Sequence, residues 1–352
     1  MSISPPEQPA GRPIRRRVLV LLNPAAGQGW ALERAQQHLD RRAGLQCELI
    51  VPDPSDQRAQ MEAARSAVDR GLDAVVVYGG DGMVSAGVGL TAERGIPLGV
   101  VPVGTGNDFA RAAGIPRGRS QQAVGRVLDA LEQPSLPSRP VDALRLTVTQ
   151  HPSTPAPHTA APGAAAPGVP ATDAESRAEQ VSPRWVGNSV NIGFDARVNR
   201  RANQLSSVPG PLRYLSALAR EVPQFRPTSF QLGIDAAAPV QLSCALVCVQ
   251  NGTCIGGGIP LAPQARLDDG WAEVSHVAPL PRAGLIALFP LLMLRRHAWL
   301  RPLTTRRARQ VRITVPAGVP VFADGDEMLS GESESPAEVT VELVPGAVRL
   351  LG

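Results

Sequence analysis

The stretch Val75-Val76-Val77-Tyr78-Gly79-Gly80-Asp81-Gly82-Met83-Val84-Ser85 decides the fold. Its β-branched run reads as a buried strand that breaks into a glycine cluster and leads into a helix beginning near Met83. Glycines let backbone N–H groups approach a ligand closely, and a helix N-terminus favours negative charge. Asp81 in the same turn would repel phosphate unless a metal sat between them, so the stretch is a candidate site for phosphate with a divalent metal. Taken alone it reads equally well as an ordinary strand-to-helix turn, because a short glycine cluster is a weak motif.

Working outward, Val18 to Leu22 reads as a first strand ending in Asn23-Pro24-Ala25-Ala26-Gly27, with a helix over Ala31 to Arg42. Cys47 to Val51 reads as a strand, Gln57 to Arg70 as a helix and Ala74 to Tyr78 as the strand of the opening stretch. A helix from Met83 to Arg94 and a strand from Pro97 to Val101 follow, ending in Gly104-Thr105-Gly106-Asn107-Asp108-Phe109; a helix over Gln121 to Leu131 comes after. Alternating strands and helices predict an α/β domain with a Rossmann-like parallel sheet. In such a sheet ligands bind at the carboxyl ends of the strands, where these loops gather.

Beyond this the pattern changes. Val141 to Thr149, Trp185 to Phe194, Phe230 to Ile234, Gln241 to Gln250, Trp271 to His276, Val311 to Val315 and Glu338 to Leu343 read as strands with few helices between them. The expected helices are Pro211 to Glu221 and a segment around Ala283 to Leu300. This predicts a mainly antiparallel second domain, with boundaries of 1–14 for a disordered leader, 15–138 for the nucleotide-binding domain and 139–352 for the β-rich domain. Residues 151–183, dominated by Ala, Pro, Thr and Gly, read as a disordered insertion in a hairpin.

Composition narrows the chemistry. All 35 basic residues are arginine, which excludes any mechanism built on a catalytic or P-loop lysine. Net charge +4 suits anionic ligands or an anionic membrane, while 3% aromatic content and the lack of a basic, aromatic-interleaved motif argue against nucleic acid. Cys47, Cys244, Cys248 and Cys254 lack paired zinc spacing, and Arg15-Arg16-Arg17 precedes an apolar run too short for a signal peptide. The expectation is a cytoplasmic protein with reduced thiols and no transmembrane segment; the longest apolar stretch, Ala283 to Leu294, is shorter than the ~20 residues of a bilayer span.

Together, Asn23 to Gly27, Gly79 to Gly82, Gly104 to Phe109, Asn251-Gly252 through Gly256-Gly257-Gly258 to Pro263, and Asp268-Asp269-Gly270 resemble the diacylglycerol kinase catalytic-domain family, which includes soluble bacterial lipid kinases and sphingosine kinases. The resemblance runs from Arg15 to Leu351 apart from the insertion, and implies a two-domain lipid kinase with ATP in a cleft. It places nucleotide contacts at Asn23, Gly27, Gly79, Gly80, Asp81, Gly82, Met83, Val84, Ser85, Gly104, Thr105 and Asn107. It further implies a Mg²⁺ site at Asp269, helped by the backbone carbonyls of Arg266 and Trp271, and a water-linked acidic network of Asp81, Asp108, Asp142 and Asp324. Hard oxygen ligands suit that ion. For Asp142 a solvated or capping carboxylate is nearly as good a reading.

The family's Asp-Gly-Glu motif, whose glutamate is the general base, falls on Asp324-Gly325-Asp326-Glu327. Register puts Asp326 at the base position, with Glu327 as the substitute; neighbours on an extended segment point oppositely, so the two do not share the role. Two further departures are Met83, where relatives commonly carry threonine, and Pro52, where relatives offer a threonine to the nucleotide.

The resemblance implies diacylglycerol as acceptor, with a sphingoid base or another lipid alcohol as alternatives. An NAD kinase or 6-phosphofructokinase shares the Gly-Gly-Asp-Gly turn, and a nucleotide- or lipid-binding pseudokinase is the non-enzyme reading. Ala283 to Leu300 with Arg295, Arg296, Arg301, Arg306 and Arg307 reads either as an apolar face with a basic rim at the inner membrane surface or as a core helix followed by solvated arginines. The expected partner is a lipid at that surface, with room for a homodimer.

Overall fold

A computed structural model describes residues 14–22, 37, 45–50, 56–104, 106–150, 179–205, 210–296 and 301–352. The leader before Ile14, the helix expected over 31–42, Val51, residues 151–178 of the insertion and residues 297–300 lie outside the described residues. The chain forms two compact units, one running to Val141 and completed by Gly346–Gly352, the other spanning Asp142–Pro345.

The first unit holds strands β1 (Ile14–Leu22), β2 (Leu45–Ile50), β3 (Ala74–Gly79) and β4 (Pro97–Pro102). Its helices are α1 (Gln57–Asp69), α2 (Asp81–Thr91), α3 (Asp108–Ala112) and α4 (Ser120–Leu131). The strands are parallel in the order β2-β1-β3-β4, and Arg349 and Leu350 pair in parallel with Pro97 and Leu98 at the far side. Strand order reverses between β1 and β3, so the carboxyl end of β3, where Gly79-Gly80-Asp81-Gly82 begins, flanks the switch point at which such sheets bind ligands.

Every residue of β3 and β4 is buried, as a central parallel strand requires, which is why they read as unbroken apolar runs. On one face Val18, Val20, Val76 and Tyr78 pack with Val124, Val127, Leu128 and Leu131 of α4. On the other, α2 lies so close that a Cβ on Gly87 would stand 2.7 Å from Val77 and 2.8 Å from Leu98. That approach sets the start of α2 at the sheet's carboxyl edge.

The second unit is a sandwich. One sheet contains β8 (Thr228–Ile234), β9 (Val240–Cys244), β13 (Gln310–Val315) and β16 (Ala337–Leu351) in the order β16-β13-β8-β9, while β5 (Ser138–Gln150) pairs with β6 (Glu179–Val186). The other is six-stranded, β12-β11-β10-β7-β14-β15, from β7 (Ser189–Gly193), β10 (Leu246–Gln250), β11 (Ala272–Val277), β12 (Leu303–Ala308), β14 (Val321–Ala323) and β15 (Asp326–Leu329). Val247 and Val249 face the first sheet's Leu232, Ile313 and Val339; Leu246 and Cys248 face the helices α5 (Phe194–Gln204), α6 (Gly210–Glu221) and α7 (Arg282–Met293). Period-two alternation with both faces buried again yields continuous apolar strands.

Four expectations need correction. The strand expected over Trp185 to Phe194 is two, parted at Gly187-Asn188. That over Gln241 to Gln250 is also two, parted at Ala245, whose N–H donates to Val277 O and whose carbonyl accepts from Phe194 N. Strand β6 begins at Glu179, inside the stretch expected to be an insertion up to 183: Glu179, Gln180 and Val181 pair with Gln150, Thr149 and Val148 of β5. Finally, among the described residues of the apolar segment expected to Leu300, the helix runs over Arg282–Met293, and Arg306 and Arg307 lie on β12.

Candidate active site

In the first unit the strand-to-helix turn forms as expected, although the helix starts at Asp81 rather than Met83. Gly80 is extended and no side chain caps the helix. The N–H groups of Met83 and Val84 both donate to Gly80 O at 3.1 Å, leaving those of Asp81 and Gly82 without a main-chain acceptor among the described residues. Gly82 is exposed, Gly80 and Asp81 partly so, and Met83, Val84 and Ser85 are buried. The Ser85 hydroxyl has no partner among the described residues.

The second glycine loop packs directly on the first. A Cβ on Gly104 would stand 2.5 Å from Gly80 Cα and 3.0 Å from Gly80 N, so position 104 has no room for a side chain, whereas a Cβ on Gly80 would meet Gly104 Cα at an ordinary 3.4 Å. Asn107, in the left-handed region at φ 53°, donates from Nδ2 to Gly104 O and closes its own loop. Phe109 N–H donates to Asp81 Oδ1 at 3.1 Å, tying both loops together. Burial pushes the Asp81 carboxyl above the usual carboxylate range, opposed in part by the amides of Phe109, Asp108 and Asn107 and by Arg111. Asp108 is buried with Arg111 at 3.7 Å. Asn23, Gly27 and Thr105 lie outside the described residues.

In the second unit the Asp-Gly motif is a tight hairpin. Ala323 pairs with Asp326 across a two-residue turn in which Asp324 (φ 48°) and Gly325 (φ 91°) are both left-handed, the arrangement that favours Asp-Gly. The buried Asp324 carboxylate accepts from Gly187 N at 2.7 Å, Asn188 N at 3.0 Å and Ser189 N at 2.9 Å. The hairpin is thereby anchored, and Asp326 and Glu327 emerge from β15 with different partners. Asp326 pairs with Arg184; Glu327 lies 3.8 Å from Arg200 of α5. Asn203 of the same helix donates to Gly325 O at 3.1 Å.

Asp142 and Asp269 are brought together. Gly270 N–H donates to Asp142 Oδ2 at 2.8 Å, Trp271 N–H to Asp269 Oδ1 at 3.2 Å, and Arg307 Nη2 stands 3.4 Å from Asp269 Oδ2. Asn251 links this pair to the hairpin anchor, donating from Nδ2 to Asp142 O at 2.7 Å and to Gly187 O at 3.2 Å. The fully buried Asn251 Oδ1 and Gln250 Oε1 have no partner among the described residues. Orphaned oxygens beside carboxylates suit a hard cation and its waters. No three acidic, His or Cys side chains converge among the described residues. The Arg266 guanidinium is engaged by Asp268 at 3.2 Å.

Sequence reasoning missed Asn251 as a hub, and the arginines 184, 200 and 307 that face the carboxylates. An Asn-Gly pair closing an apolar strand signals the first; no spacing rule would have found the others. Thiol chemistry finds no support: burial pushes Cys47 up to about 11 and Cys244 up to about 12, and no cysteine is disulfide-bonded.

Residues 17–135 match the diacylglycerol kinase catalytic domain, and residues 188–352 match the YegS C-terminal NAD kinase beta sandwich-like domain. A diacylglycerol kinase of Mycobacterium tuberculosis (strain CDC 1551 / Oshkosh) is 30% identical over 338 residues, covering 95% of this chain and 94% of its own. One of Bacillus subtilis (strain 168) is 24% identical, covering 90% and 92%. A candidate diacylglycerol kinase from Bacillus anthracis str. Sterne shares the fold at TM-score 0.66 and 20% identity, covering 95% and 94%. By that similarity along nearly its whole length, the chain belongs to the diacylglycerol kinase family of lipid kinases.

Proposed function

We propose that the protein transfers the γ-phosphoryl group of ATP to a lipid hydroxyl, with diacylglycerol as the preferred acceptor and phosphatidic acid as the product, a step of phospholipid biosynthesis. The observation that carries this reading is the backbone contact of Gly80 with Gly104, which keeps side chains away from free helix-start amides at the sheet's switch point. Phosphate oxygens would accept from the amides of Asp81 and Gly82, and Thr105 and Asn23 would add polar contacts. No lysine is needed.

In the second unit Asp326 takes the proton of the lipid hydroxyl as its oxygen forms the new bond to phosphorus; the bond from phosphorus to the ADP oxygen breaks and ADP leaves with that electron pair. Asp324 positions the hairpin through three amides, and Arg184 orients the Asp326 carboxylate. Glu327, directed to Arg200, is the substitute base. Asp269, Asp142 and the carbonyls of Arg266 and Trp271 would hold Mg²⁺. When bound, the ion supplies positive charge against the phosphates.

A lipid acceptor requires contact with a bilayer, and α7 with the residue beyond it exposes Ile286, Met293 and Leu294 while burying Leu285, Leu288 and Leu292. We assign this face to peripheral contact at the inner membrane surface; no helix among the described residues is long and apolar enough to cross a membrane. Labelled ATP offered to diacylglycerol, a sphingoid base, a polyprenyl alcohol and NAD tests the reading. Label in diacylglycerol supports it, label in NAD replaces it with a nucleotide kinase, and no transfer by folded protein defeats it.

A further inference from the structure

Helix α5 places Arg197, Arg200, Arg201 and Gln204 on one face, at spacings of three and four residues, and that face lines a cavity of about 450 Å³ in the second unit. Like charges so arranged repel one another, so each needs a counter-charge. Arg201 has Glu221 at 2.8 Å, and Arg200 has Glu332 in contact and Glu327 at 3.8 Å. Arg197, half-buried, has no acidic partner among the described residues.

The rest of the lining is Glu221, which pairs with Arg201, and a wall of Gly318, Pro320 and Gly331. A Cβ on Gly331 would stand 3.1 Å from Arg200 Nη1 and 3.3 Å from Pro320 Cδ. A larger residue at 331 would push into Arg200 and occlude the cavity. An unpaired guanidinium beside two further guanidiniums, in a space kept open by glycine, suits an oxyanion that accepts several parallel N–H bonds.

We propose that this cavity of the second unit binds a phosphate group, either free orthophosphate or the phosphomonoester of a lipid headgroup. Arg197 supplies its unpaired fork and Arg200 turns toward the anion at the expense of Glu332 and Glu327. Occupancy is thereby linked to Glu327 and, through Asn203 of the same helix, to the Gly325 turn. The site stands on its own geometry and does not depend on which lipid is phosphorylated.

The test is calorimetric titration of the full chain with sodium phosphate against sodium chloride of matched ionic strength, with ADP present throughout to occupy the nucleotide loops. Wild type is compared with Arg197→Gln, Gly331→Val and, as a control on exposed β13, Arg312→Gln. Wild type and the control should bind alike, with affinity at least about tenfold weaker in Arg197→Gln and Gly331→Val. Should Gly331→Val fail to fold, Arg197→Gln decides, since Arg197 has no ion pair to lose among the described residues. Phosphate binding that is undetectable in wild type, or unchanged in Arg197→Gln, overturns the proposal. Co-sedimentation with phosphatidylcholine vesicles, with and without phosphatidic acid, then identifies the source. Loss of acid-dependent binding in Arg197→Gln assigns the lipid headgroup; wild-type sedimentation assigns free phosphate.

Discussion

Two glycine-aspartate turns, Gly79-Gly80-Asp81-Gly82 in the first unit and Asp324-Gly325-Asp326 in the second, use the same residue types for different physical reasons. Gly80 has no left-handed backbone, and the glycine required beside it is Gly104, because the two main chains approach so closely that a Cβ on Gly104 would stand 2.5 Å from Gly80 Cα. Gly325 is required by its φ of 91°, with nothing within 4 Å of where a Cβ would stand. The aspartates differ as well. Asp81 accepts main-chain hydrogen bonds yet is left with burial as the larger influence, whereas Asp324 takes three amide bonds on its two oxygens. One turn serves the close approach of two main chains, the other the direction of a carboxylate.

The largest effect that would break this contrast is at Asp324. Asp324→Ala strands three buried amides and should cost about 3–5 kcal/mol, read as a lowered midpoint in urea. Gly104→Ala should cost about 1–3 kcal/mol and also separate the loops, so nucleotide binding falls with stability; binding by fluorescent ATP analogue checks it. Gly325→Ala meets open space and should cost only the backbone term, about 1–2 kcal/mol. Equal losses for the two glycine variants, each with nucleotide binding intact, would erase the distinction.

The smallest effect sharpens the aspartate comparison. A raised carboxyl pKa means that the folded protein holds the Asp81 proton more tightly than the unfolded chain does. Its stabilising contribution is present below the unfolded value near pH ~4 and is lost as pH rises through the folded value. Asp81→Asn keeps an oxygen for Phe109 N–H without the buried charge. The variant should match wild type in thermal midpoint at low pH and gain on it toward neutrality; a gap that narrows with rising pH would contradict the burial account.

Much of the first unit was legible because its central strands are buried on both faces, so composition alone marks Val75 to Tyr78 and Pro97 to Val101. The second unit was read less well where tertiary bonds cut strands. Gly187-Asn188 breaks an apolar run because Asp324, 136 residues away at Asn188, takes its amides. Helix α5 escaped notice because three arginines and two asparagines mask the stripe of Phe194, Val198 and Ala202 that packs inward. The strands flanking Asp324-Gly325 are only three and four residues long, and the turn itself was the better signal. The candidate carboxylates were legible from resemblance; their arginine partners depend on approach between elements far apart in sequence.

The central claim is that the first unit holds the nucleotide while Asp326 on the second activates a lipid hydroxyl. The direct measurement is transfer of labelled phosphate from ATP to diacylglycerol by wild type, Asp326→Ala and Glu327→Ala, with ATP-analogue binding recorded on the same samples. Asp326→Ala should lose about 10²–10⁴-fold in turnover with nucleotide binding unchanged, and Glu327→Ala should retain most of its activity. Near-wild-type transfer by both variants would contradict the account.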